Sequence, residues 1–171
     1  MKAQKKYEPS DLTFSSLLGI VPPDLYECIQ RLKLVDQRVD RHPEGNVFVH
    51  TQVVVDRVAK YGDIELSIAA LLHDEGKSRT TSINPKTGMP RSPGHEKYSA
   101  ECVIIFSDWI RDMGANSHVV YSLVLHHMDK DLNDIPSKLV SDKMMQHLQT
   151  YEWYPQLVLL MTADHGGTDI D

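Results

Sequence analysis

Long apolar runs are missing from this sequence. No stretch approaches the roughly 20 consecutive apolar residues that a helix needs to cross a bilayer, so no membrane association is expected. Met1 to Tyr7 is basic, but no apolar segment follows it as a secretory leader requires, and a cytoplasmic location is the default expectation. Cysteine is scarce. Cys28 and Cys102 are the two present, and in a chain without a leader they are expected to be free, buried thiols rather than a bridge. Internal repeats and low-complexity linkers are also lacking. No segment shows the period-two alternation of a half-buried strand, which points away from a β architecture. Finally, there is no excess of positive charge. A formal net charge of −6 argues against an extended nucleic-acid-binding surface, while leaving room for a local basic patch over one phosphate.

What remains is a chain of 171 residues, a length that suits one domain with one core. Residues 1–20 are mixed in character and are expected to form a partly ordered N-terminal arm; residues 21–171 are expected to form the domain. Val21-Pro22-Pro23-Asp24 reads as a helix start, with the helix running to about Asp36. Asn46 is positioned to cap a second helix over 47–61 that stops at Gly62. A third helix is expected over 63–74. Residues 75–94 are punctuated by Gly76, Pro85, Gly88, Pro90, Pro93 and Gly94, so they read as a long functional loop. Further helices are expected at about 95–113, 116–128, 136–150 and 153–165. The fold class is all-α, with about six or seven helices.

The unusual feature is nine histidines, and their placement matters more than their number. His50 lies on the apolar stripe of Val47, Val53 and Val54. His73 shares a face with Leu66, Ala69 and Ala70, and Asp164 shares one with Leu157, Leu160 and Met161. His126 follows Val119 and Leu123, and His127 follows Val120, Leu123 and Val124. Burying one such group without a partner costs several kcal/mol. A single inward histidine is ordinarily a satisfied core residue. Several helices each turning an imidazole or carboxylate inward are most economically explained by a shared cation. A donor set of imidazole and carboxylate without thiolate suits Mn, Fe, Co, Ni or Zn, and Mg less well.

His50, then His73-Asp74-Glu75-Gly76-Lys77, then Asp164, resembles the signature of the HD-domain metal-dependent phosphohydrolase superfamily. With His95 and His126-His127 it resembles the extended pattern of the binuclear members. His42-Pro43-Glu44-Gly45 before His50-Thr51, Gly94-His95-Glu96, and Ala163-Asp164 are similar to the HD domain of bacterial tRNA nucleotidyltransferases over about residues 40–169. Only the HD portion of those enzymes is matched, so the resemblance implies phosphohydrolase chemistry and not nucleotide addition.

It implies one or two divalent ions held by His50, His73, Asp74, His95, His126, His127 and Asp164, with Asp74 bridging, and water activated for attack on phosphorus. The expected substrate is a phosphomonoester or a cyclic phosphodiester of a nucleotide or of an RNA or DNA end. Lys77 is expected to contact the substrate phosphate, aided by Arg79 and Arg91 from residues 77–94, which carry Lys77, Arg79, Lys86 and Arg91 and no acidic residue. Glu75, Glu44 and Asp129 are candidate proton-transfer or orienting groups. His42, His118, His147 and His165 are expected to be surface or capping residues, and Trp109, Trp153 and Tyr154 to be packing residues.

Two departures from the resemblance narrow the substrate. His165-Gly166-Gly167 stands where the tRNA-linked members carry an Arg-Gly-Arg-like segment. Met128-Asp129-Lys130 follows His126-His127 where cyclic-di-GMP phosphodiesterases carry a Gly-Tyr-Pro signature. The alternatives are an HD-fold di-iron oxygenase and a non-catalytic nucleotide-binding protein. The sequence indicates no oligomeric state.

Overall fold

The computed structural model describes residues 6–128, 147 and 149–166, and these form an all-α domain with one minimal hairpin. The helices are α1 (Phe14–Leu18), α2 (Pro23–Arg31), α3 (Val47–Ala59), α4 (Ile64–Leu72), α5 (Lys77–Thr80), α6 (His95–Ile105), α7 (Ser107–Asp112), α8 (Ser117–His126) and α9 (Tyr154–Asp164). Short 3-10 turns occupy Pro9–Leu12 and Leu32–Leu34. No helix among the described residues is long and apolar enough to cross a membrane.

The centre of the domain is α4. Leu66 through Leu72 are all buried, as a helix that is apolar on every side must be. It contacts α3, α6, α8 and α9. Local chemistry sets its start, where the Asp63 carboxylate accepts the Leu66 N–H at 3.0 Å. The Asn46 side chain caps α3 in the same way, accepting from Val49 N–H at 3.0 Å. Gly62, Gly114 and Gly166 take positive φ after α3, α7 and α9, the left-handed step at which glycine carries no Cβ penalty.

Three expectations need correction. First, the helix read as reaching Asp36 stops at Arg31. Beyond a 3-10 turn, residues 35–37 are extended: Val47 N–H donates to Val35 O and Gln37 N–H to Gly45 O, both at 3.0 Å. Pairing across ten residues outweighs local helix preference there. Second, the helix read over 95–113 breaks at Phe106 (φ −99, ψ 18), which ends α6 and starts α7. Third, residues 75–94 are not featureless. After α5, Ser82–Ile83 pairs antiparallel with Pro90–Arg91, closed by a turn in which Asn84 N–H donates to Met89 O at 2.8 Å and Gly88 takes φ 67. Two-residue strands are too short to show alternation in a sequence.

The N-terminal arm is ordered in part. Residues 9–18 are largely helical, and Leu12, Phe14 and Leu17 are buried in the core. Phe14 N–H also donates to Asp56 Oδ1 on α3 at 2.8 Å. Almost all of the helix expected over 136–150 lies outside the described residues.

Candidate metal centre

Four helix ends and the first turns of α3 meet at one place. His73 and His127 are the C-caps of α4 and α8, and Asp164 is the last residue of α9. His95 opens α6 and His50 is the fourth residue of α3. Three C-terminal ends carry partial negative charge toward the same region, which favours a cation there.

The imidazoles share one device. His73 Nδ1–H donates to the Ala70 carbonyl at 2.7 Å, His95 Nδ1–H to the Ser92 carbonyl at 2.8 Å, and His127 Nδ1–H to the Val124 carbonyl at 2.6 Å, each three residues earlier. His50 Nδ1–H donates to Glu44 Oε1 at 2.5 Å. A carbonyl only accepts, so in the neutral ring each of these bonds places the Nε2 lone pair toward the centre.

There the lone pairs meet oxygens and one another. His50 Nε2 lies 2.8 Å from Asp164 Oδ1, and His73 Nε2 lies 3.6 Å from the same oxygen. Asp74 turns its two oxygens to opposite sides. Oδ2 is 3.4 Å from His73 Nε2 and 3.6 Å from His50 Nε2, while Oδ1 is 3.0 Å from His95 Nε2 and 3.8 Å from His127 Nε2. His95 and His127 face each other Nε2 to Nε2 at 3.3 Å.

Two buried groups of ligand atoms result, His50–His73–Asp164 and Asp74–His95–His127, and a third, His42–Glu44–His50, adjoins them at the outer side of His50; in each the atoms lie within 4.8 Å of one another, and each could hold a metal ion. The donors fit a divalent cation. His73 Nε2 is buried with no hydrogen-bond partner among the described residues. The facing Nε2 atoms of His95 and His127 repel as lone pairs. A positive centre relieves both conditions.

Electrostatics point the same way. Burial would push the Asp74 and Asp164 carboxyls up. The His73 and Lys77 charges beside Asp74, and the His50 bond together with the nearby His73 imidazole at Asp164, outweigh it and hold both far below the usual carboxylate range. Burial would lower His73, but Asp74 and Asp164 overcome it and raise the imidazole to about 10. Burial dominates at His127, whose pKa is lowered. Two anionic carboxylates in a dry site thus demand positive charge, and without a metal His73 supplies it as a proton.

Of the seven expected ligands, six fall within the two buried groups. His126 does not. Its ring stacks on Trp153, with centroids 5.7 Å apart and planes at 11°. Adjacent helical side chains diverge by about 100°, so the end of α8 directs His127 inward and His126 elsewhere. Lys77 sits at the centre's edge, its Nζ donating to Asp74 Oδ2 and Gln37 Oε1, both at 2.7 Å.

Arg79 instead lies against Glu75 and Glu101, at 3.9 and 3.7 Å, and Arg91 is exposed on the hairpin. Glu75 is buried, and burial raises its pKa. Cys102 is buried and Cys28 half-buried, both free. Asp129 lies outside the described residues.

Sequence reasoning missed His42. Read as a surface residue, it is half-buried, edge-on to His50 with ring centroids 4.6 Å apart, and its Nδ1 is 3.6 Å from Glu44 Oε1. Its signal was the His42-Pro43-Glu44-Gly45 phrase. Gln37 was missed as well, and no local pattern marks it. His165 does act as a cap, donating from Nδ1 to Met161 O at 2.8 Å, and His118 is exposed.

Part of the chain is similar to curated proteins. Over 74 residues it is 42% identical to the Multifunctional CCA protein of Cupriavidus necator, covering 43% of this chain and 17% of that protein. Over 70 residues it is 44% identical to the Multifunctional CCA protein of Burkholderia vietnamiensis, covering 40% and 16%. Over 68 residues it is 46% identical to that of Burkholderia cenocepacia, covering 39% and 16%. The match therefore spans only 16–17% of the length of these relatives. No family model matches the chain, and no solved structure matches it.

Proposed function

We propose that this chain is an HD-type, metal-dependent phosphohydrolase acting on a phosphomonoester or cyclic phosphodiester of a nucleotide or nucleic-acid end. The observation that carries the reading is Asp74, a buried carboxylate whose two oxygens face two separate groups of inward imidazoles. That is the disposition of a carboxylate shared between two cations. The similarity to Multifunctional CCA proteins supports a nucleic-acid end as the substrate class.

In this reading His50, His73, Asp74 and Asp164 hold one ion, and Asp74, His95 and His127 hold a second. When bound, Mn, Fe, Co, Ni or Zn (or, less favourably, Mg) supplies Lewis acidity for a phosphoryl oxygen and lowers the pKa of water toward ~7. The protein's own groups do the remainder. Carbonyl and carboxylate partners fix each imidazole's tautomer and aim. Lys77 places a cation beside Asp74, where a phosphate oxygen is to be neutralised. Glu44, which accepts from His50, and the neighbouring His42 form a proton-accepting edge on one side. Arg79 and Arg91 contribute longer-range positive potential from a loop without acidic residues.

The test is an assay of the Mn-, Ni-, Co- and Mg-loaded protein on nucleotides, 2′,3′-cyclic nucleotides and phosphorylated oligonucleotides, with Asp74→Ala as control. Metal-dependent hydrolysis that the variant loses, with helical content retained, is the expected result. Hydrolysis undiminished by chelator, or by Asp74→Ala, refutes the proposal. Oxygen consumption by an iron-loaded protein that leaves phosphoesters intact moves the site to the oxygenase class. Nucleotide binding without turnover makes the chain a binding protein.

A further inference from the structure

Beside the metal centre lies a cleft of about 580 Å³. One wall is residues 36–40, which run from extended backbone into a turn, with Gly45 and Asn46, and the other is the hairpin tip at Gly88, Met89 and Pro90. We propose that this cleft seats the nucleoside of the substrate, with Gln37 joining the seat to the phosphate site. The inference rests on the phosphohydrolase reading and gives that site's substrate its recognition element.

Four observations carry it. The first is connection. Gln37 lines the cleft, and its Oε1 accepts from Lys77 Nζ at 2.7 Å, while the same Nζ donates to Asp74 Oδ2. One side chain therefore separates the cleft from the position assigned to the phosphate. The second is an unmet donor. Gln37 is buried, and its Nε2 has no hydrogen-bond partner among the described residues. The contact with Lys77 fixes the carboxamide so that the NH₂ cannot use the oxygen's place. That atom is itself buried behind the cleft wall, so an acceptor on the ligand, a base carbonyl or ring nitrogen, satisfies it once the side chain turns toward the cleft.

The third is the chemistry of the walls. Val39 and Met89 are apolar yet 71% and 41% exposed, so the cleft offers uncovered apolar flanks. On the same wall as Val39, the Arg38 guanidinium is held by two bonds to Asp40, Nε to Oδ1 at 3.0 Å and Nη2 to Oδ2 at 2.6 Å. A fixed guanidinium plane is a stacking surface for a base. The fourth is size and charge. The volume lies within the range of small-ligand sites, and its lining carries Arg38 against Asp36 and Asp40, a balance that suits a neutral nucleoside, with Lys86 and Arg91 further along the hairpin.

The test uses nucleosides, which contain no bond for a phosphohydrolase to cut. The Mg-loaded full chain is titrated with adenosine, cytidine and ribose and followed by amide NMR. The expected result is saturable shifts at the Gln37 side-chain NH₂ and at the Gly45, Gly88 and Met89 amides with a nucleoside, and none with ribose. Shifts elsewhere, equal shifts with ribose, or no shifts overturn the proposal. As an independent readout, Val39→Asp and Met89→Ala, both at exposed positions, should each raise KM for the best nucleotide substrate about tenfold more than KM for 4-nitrophenyl phosphate. Equal changes for the two substrates also overturn it. A chain that binds nucleosides as described but hydrolyses no phosphoester leaves the cleft standing and removes the phosphohydrolase reading; hydrolysis without nucleoside-dependent shifts does the reverse.

Discussion

Replacing Gly76 by alanine sets two physical effects against each other, and their signs differ. Gly76 lies at φ −61, ψ −17, a helical conformation open to every residue. Backbone entropy alone therefore predicts that Gly76→Ala stabilises the protein by about 0.4–1 kcal/mol. The surroundings predict the opposite. A Cβ there would stand 2.2 Å from the His95 carbonyl oxygen, 2.8 Å from Ser99 N and 2.9 Å from Tyr98 Cβ. Two of these are backbone atoms and cannot rotate aside. With favourable contact beginning near ~3.5 Å, the start of α6 must retreat by roughly an ångström.

Overpacking of this kind costs about 1–3 kcal/mol. The buried bond from Gly76 N–H to Ser99 Oγ, 2.8 Å long, is stretched in the process, at a cost of about 1 kcal/mol. After the entropic gain, a net loss of about 1–4 kcal/mol remains. In a domain of this size that lowers Tm by about 2–14 °C. The damage should also reach the centre, because the first residue of α6 is His95, whose Nε2 is 3.0 Å from Asp74 Oδ1. Calorimetric melts of the wild type and variant, together with Mn titrations of both, measure the two consequences. A variant whose Tm is unchanged or higher, with unaltered metal affinity, refutes the reasoning.

Glu44→Gln keeps the size of the His50 partner and removes its charge; metal affinity by titration calorimetry should fall about 10–100-fold with little change in Tm, and an unchanged affinity means Glu44 does not orient His50. Leu17→Ala, at a fully buried position of the N-terminal segment, should cost about 2–5 kcal/mol in chemical denaturation, whereas a detachable arm predicts almost none. For chelator-treated protein, His73 is held at about 10 when folded against 6.5 for the free side chain. A raised basic group stabilises fully below its unfolded pKa, so Tm should decline from about pH 6.5 to 10; a flat profile over that window contradicts a protonated His73. The depressed carboxyls of Asp74 and Asp164 act at the other end, their stabilisation being present above the ordinary carboxylate pKa and lost only in strong acid.

The sequence by itself determined the helical class, several helix ends and the inward placement of imidazoles and carboxylates at the centre. Asn46, Gly62 and Gly114 act within a few residues of themselves, through a side chain reaching the next turn or a backbone free to take positive φ, so they can be read locally. The inward turn of His50, His73, His127 and Asp164 is legible for the same reason, since it follows from helical periodicity against neighbouring apolar residues.

Only the tertiary structure decided which of two adjacent histidines enters the centre, because that depends on the rotation of α8 against α6 and α4. Packing also decided that the helix read over 95–113 breaks at Phe106. It brought His42 and Gln37 to the site's edge through pairing of residues 35–37 with 45–47. The fit of glycine at position 76 depends on α6, nineteen residues further along the chain. Such contacts join segments that share no local pattern, and their energy exists only once the chain has folded around α4.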